Sequence, residues 1–98
     1  MSLFPLNHTI ALQENSSATG TNQFTWPGGP GRLSVEASWG GGTVTLKTMT
    51  SNGTWIAVGP DTTLVANGVA GFILPKGAQI QAAIATATAV FAYADPIP

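Results

Sequence analysis

From Pro27 to Gly77 no stretch longer than ten residues passes without a glycine or a proline, whereas an average helix needs about eleven. Elements in such a chain must be short. Between the breaks the side chains alternate: Leu33, Val35, Ala37 and Trp39 share one side of a strand whose other side carries Ser34, Glu36 and Ser38, a period of two that gives one buried face. Gln23–Trp26, Thr43–Met49, Thr54–Val58, Thr62–Val65 and Ala70–Leu74 read as further strands, rich in β-branched and aromatic residues. Only Gln79–Tyr93 fits two periods. Its alanines and the Ile80/Ile84 spacing suit a helix, but Ile80, Ala82, Ile84 and then Val90, Ala92, Ala94 also alternate, so it is read as two strands turning near Ala85–Thr88. The total is about eight short strands, which predicts an all-β fold: an antiparallel β-sandwich, jelly-roll-like, or a small β-barrel.

The breaks carry expectations of their own. Pro27-Gly28-Gly29-Pro30-Gly31 is read as a turn cluster that no strand runs through. Gly40-Gly41-Gly42 joins its two strands as a hairpin, Asn52-Gly53 is a tight hairpin loop, and Asn67-Gly68 is a second turn of that kind. At the N-terminus Phe4–Gln13 alternates as a strand, with Pro5 confining its start to a sheet edge or a free arm. Glu14–Asn22 is small, polar and aperiodic, and reads as a flexible connection. The chain therefore divides into an N-terminal arm or strand with its connection, residues 1–22, and a single β-sandwich domain, residues 23–98. Met1–Leu6 lacks the basic and apolar regions of a secretory signal.

Composition narrows the function. Charged residues are 7% of the chain, against about 25% in ordinary soluble domains, and the net charge is −1. The exterior must be largely Thr, Ser, Asn, Gln and Gly, with little charge to keep copies apart, which favours self-association. Arg32, Lys47 and Lys76 are the only Lys and Arg residues. They are too few and too scattered to neutralise a run of phosphates or to hold an anionic membrane, and no apolar run approaches the ~18 residues of a span. No nucleic-acid or membrane partner is expected. Without cysteine there is neither disulfide nor thiolate chemistry. His8 stands alone, and Glu14, Glu36, Asp61 and Asp95 lie at no ligand spacing, so no metal and no cofactor are expected. No Gly-x-Ser-x-Gly elbow or paired acids appear, and the glycines at 28–31 have no following Lys-Ser/Thr to cradle a phosphate. A non-enzymatic role is the expectation.

Three tryptophans remain. Trp39 continues an inward row and belongs inside; Trp26 and Trp55 are either core or interface anchors or flat faces for a sugar. The segments Trp39–Leu46, Gly53–Gly59, Ala66-Asn67-Gly68, Phe72–Gly77 and the Ala/Thr-rich ending resemble small uncharacterised structural proteins of tailed bacteriophages and prophages. The resemblance implies a virion component made in the bacterial host cytoplasm, foremost a head-decoration or cement protein on the capsid surface. It implies a homo-oligomer, trimer favoured, with the phage major capsid protein as its partner. Candidate contact residues are Phe4, Leu6 and Ile10 on the arm, with Trp26 and Trp55. The alternative is a carbohydrate- or receptor-binding module of a phage tail using the two tryptophans.

Overall fold

The computed structural model describes residues 9–97. Nine strands form two antiparallel sheets packed face to face, and neither closes into a barrel. In chain order they are β1 (Ile10–Ser16), β2 (Phe24–Thr25), β3 (Gly29–Ser38), β4 (Thr43–Met49), β5 (Trp55–Ala57), β6 (Thr63–Leu64), β7 (Gly68–Leu74), β8 (Gln79–Ala85) and β9 (Thr88–Pro96), with one 3-10 turn at Pro60–Thr62 before β6. The first sheet has the order β1-β9-β3-β7, the second β2-β8-β4-β5, with β6 also beside β4. The sandwich expectation holds, and so does the reading of the alanine-rich end as two strands.

The core lies between the sheets and follows the alternation. Leu33 and Val35 of β3, Val90, Ala92 and Ala94 of β9, and Leu12 of β1 face Val44 and Leu46 of β4 and Ile80 and Ala82 of β8. Small residues on β8 and β9 leave room for larger ones opposite, so side chains of the two inner faces interdigitate.

Several turns do other work than their sequences announced. The glycine triplet Gly40–Gly42 does not close a hairpin: β3 pairs with β7 and β9, whereas β4 pairs with β5, β6 and β8. The chain crosses from one sheet to the other there, pressed against the β8–β9 connection, where a Cβ on Gly42 would lie 2.3 Å from the Ala85 carbonyl oxygen. Asn67-Gly68 is likewise a crossing, from β6 to β7. Asn52-Gly53 does form the expected hairpin: Gly53 has φ 81° and its N–H donates to Thr50 O at 2.8 Å. The turn cluster shrinks to Pro27 and Gly28, because β3 begins at Gly29 and runs through Pro30 and Gly31. Pro30 is tolerated near a strand end, where its carbonyl still accepts from Ile97 N–H at 3.0 Å.

Strand β1 ends later than its alternation suggested, the expected start from Phe4 to His8 lies outside the described residues, and the strand bulges twice against β9. Both Leu12 and Gln13 are consequently buried. The Glu14–Asn22 connection is anchored. Gln13 Nε2 donates to Thr19 O and to Ala82 O, both at 3.0 Å, Ile84 N–H donates to Thr19 Oγ1 at 2.8 Å, and Gln81 Nε2 donates to Asn22 O at 3.2 Å. The Thr19 hydroxyl, with Gln13 just before the stretch, satisfies the edge of β8 beyond β2.

Candidate interaction surface

The outward side chains of the β1-β9-β3-β7 sheet form rows across the strands. Val69, Ser34, Tyr93 and Ala11 make one row, since Ser34 pairs with both Val69 and Tyr93, and Tyr93 with Ala11. Glu36 and Phe91 stand above it, in register with each other. Below it, Arg32 sits between Gly71 and Asp95, and then Pro30 pairs with Ile73 while receiving the Ile97 N–H. Ser34, Glu36, Asn67, Val69, Phe91 and Tyr93 line an open depression of about 450 Å³. Pro30, Gly71, Ile73 and Ile97 line a second, beside it.

This face is apolar for an outward one. Val69 is 61% exposed and Ile73 74%, and large apolar side chains gathered on a surface mark contact sites more often than scattered ones do. Its charges are largely neutralised locally. Arg32 Nη2 meets Asp95 Oδ2 at 2.9 Å, and Thr9 Oγ1–H donates to Asp95 Oδ1 at 2.5 Å. Partial burial pushes the Asp95 carboxyl up, but the two hydrogen bonds and the guanidinium charge outweigh it and hold the carboxyl below its ordinary value. Glu36 adds an exposed carboxyl in register with Phe91.

Of the residues singled out from sequence, few stand here. Trp26 is fully buried, tilted at 54° against Phe72 with ring centroids 4.8 Å apart, and its Nε1–H donates to Gly29 O at 3.0 Å. It presents no face to a sugar or a partner, and the core-anchor alternative is the one realised. Its position beyond the end of a two-residue strand gave no alternation from which to read an inward direction. Trp55 is partly buried on β5, opposite Met49, with exposed Ile56 beside it. A paired Trp26/Trp55 platform therefore does not exist. Ile10 is partly buried and packs against the protein's own core. Phe4 and Leu6 lie outside the described residues.

Trp39 is half-buried at the rim, where its Nε1–H donates to Asn67 Oδ1 at 2.8 Å. The same oxygen accepts the Ala37 N–H at 3.0 Å. Among the described residues no three His, Asp or Glu side chains group as a metal site. Sequence reasoning missed Phe91, Tyr93, Val69 and Ile73 as surface residues. Their signal was the complement of the buried row: if Ala92 and Ala94 face in, Phe91 and Tyr93 face out.

No protein-family model matches the chain, and no curated protein does. Among solved structures, the crystal structure of the SPBc2 prophage-derived protein YomS superposes with a TM-score of 0.70 at 10% sequence identity, covering 96% of this chain and 94% of that one. Across nearly the whole length of both chains, this protein shares the fold of that prophage-derived protein.

Proposed function

We propose that the chain is a non-enzymatic structural protein of a bacteriophage particle that decorates the head and bridges coat subunits through the outer face of its β1-β9-β3-β7 sheet. The observation that carries this reading is the outward row Val69-Ser34-Tyr93 with Phe91 above it, in which exposed Val69 adjoins two half-buried aromatic rings on a chain with few charges. Support comes from two further directions: the fold likeness to a prophage-derived protein, and the resemblance of the turn-and-strand segments to small phage structural proteins. Burial of apolar area at many equivalent shell positions makes individually weak contacts strong by multiplicity. The tail carbohydrate reading loses one of its two aromatic platforms with the burial of Trp26.

The test is co-sedimentation of the purified chain with expanded empty heads assembled from the major coat protein of the same phage. The wild type is expected to pellet with the heads to a fixed stoichiometry. Tyr93→Glu, which places a charge at the centre of the stripe, is expected to weaken retention at least tenfold, about 1.4 kcal/mol, with an unchanged far-UV spectrum. A wild-type chain that stays in the supernatant at every head concentration defeats the decoration role.

A further inference from the structure

Among the described residues, the outward edge of β7 is the least protected strand edge. The other edge of its sheet, β1, is bulged twice, with Asn15 at φ 53°. In the second sheet one edge is the two-residue β2, extended by the side-chain hydrogen bonds of Gln13 and Thr19 to β8. The opposite edge is divided between the three residues of β5 and the two of β6, which lie end to end along β4. Strand β7 has seven residues, pairs with β3 in unbroken register, and contains no charge, no proline and no bulge. The 3-10 turn Pro60–Thr62 packs beside it, yet among the described residues no hydrogen bond reaches β7 other than those of its ladder with β3. Bulges, charges, prolines, short strands and a covering helix or loop are the usual devices that keep such an edge from adding a strand, and of these β7 has only the neighbouring Pro60–Thr62 turn, which makes no hydrogen bond to it among the described residues.

We propose that β7 pairs antiparallel with β7 of a second copy, about a two-fold axis through Gly71. The sequence Gly68-Val69-Ala70-Gly71-Phe72-Ile73-Leu74 is complementary to itself in that register. Val69 of one copy falls opposite Ile73 of the other, on the exposed face. On the core side Ala70 falls opposite Phe72 and Gly68 opposite Leu74, small against large at each position. Gly71 meets Gly71, so nothing obstructs the axis. Such pairs are the unit by which strands stabilise one another, and a two-fold contact requires this self-complementarity. No charge lies on β7 to repel its copy, and Arg32, the nearest cation on β3, is paired with Asp95. The product is a continuous eight-stranded sheet whose outer face doubles the Val69–Tyr93 stripe. A dimer replaces the trimer that the phage resemblance favoured.

The test needs two measurements on the full chain. In sedimentation equilibrium the wild type is expected at twice the 10.0 kDa chain mass, and Ile73→Lys, at an exposed position that leaves the core intact, is expected at the single-chain mass. The chain has no cysteine, so Gly71→Cys provides a register test. Opposite strand positions bring Cα atoms within disulfide range, and a Cβ at Gly71 meets only ordinary contact, 3.9 Å from Gly31 O. Oxidised Gly71→Cys is expected to run as a covalent dimer, while Val65→Cys, on an exposed loop, stays single. A wild type that sediments as a monomer or a trimer overturns the pairing. So does a Gly71→Cys chain that cross-links no faster than Val65→Cys, and this second arm decides the matter if Ile73→Lys fails to fold. The inference goes beyond the proposed decoration role and stands on the edge of the sheet, not on its face. A monomer that still pellets with heads removes the dimer alone, and a dimer that ignores heads removes the decoration role alone.

Discussion

The packing of one glycine shows how finely the core is set. A Cβ on Gly31 would lie 2.4 Å from the Trp26 ring and 2.7 Å from that of Phe72, so the residue that looked like part of a turn is where β3 makes room for the largest buried side chain. Gly31→Ala is expected to cost about 1–3 kcal/mol by overpacking, measured as a lower urea midpoint with an unchanged slope. Gly71→Ala, where the same atom finds ordinary contact, serves as the control and is expected to stay within about 0.5 kcal/mol of wild type. Composition identified Trp26 as important, but its direction was not legible. A tryptophan one residue past a two-residue strand is oriented by the loop it joins, here through Trp26 N–H to Ala78 O and Gly77 N–H to Trp26 O, both at 2.8 Å. The surface pair Phe91 and Tyr93 was readable in principle, because their neighbours Ala92 and Ala94 alternate with them and are fully buried.

At the scale of elements, strands were easier to read than their partners. Alternation says which side of a strand is wet, but in a sandwich both sheets offer the same dry interior, so a glycine-rich break suits a hairpin and a crossing equally well. The two Asn-Gly pairs illustrate this. Asn52-Gly53 joins β4 to β5 within one sheet, and its glycine takes the positive φ that such a loop needs. Asn67 instead lends its side chain across the sandwich rim, accepting from Ala37 N–H and Trp39 Nε1–H, which ties the β6–β7 crossing to the end of β3. Asn67→Ala is expected to lower stability by about 1 kcal/mol, and to speed amide exchange at Ala37, the backbone donor that loses its acceptor. Unchanged exchange at Ala37 would mean the bond is not maintained in solution. A leucine carbonyl does similar joining in the other sheet, where Leu46 O accepts Val58 N–H at 3.0 Å in the gap between β5 and β6.

For the molecule as a whole, the chain's first described strand pairs with its last, and β9 lies between β1 and β3 at the centre of its sheet. Such pairing must close long loops before any contact repays them, so refolding is expected on the millisecond-to-second scale of non-local β topologies. Stopped-flow fluorescence is suited to measuring it, since Trp26 passes from solvent to full burial; complete recovery within microseconds would contradict the topology. By itself the sequence determined that the protein is built of short strands, that Leu33 and Val35 face inward, and that few charges guard its exterior, because period, turn chemistry and composition are local properties. Only the tertiary structure decided which strands share a sheet, that Trp26 lies in the core, that the Ser17–Asn22 connection is pinned to β8, and that β7 is left with a bare edge. Those outcomes depend on which surfaces meet after the chain has turned back on itself many times, and no single run of residues carries that information.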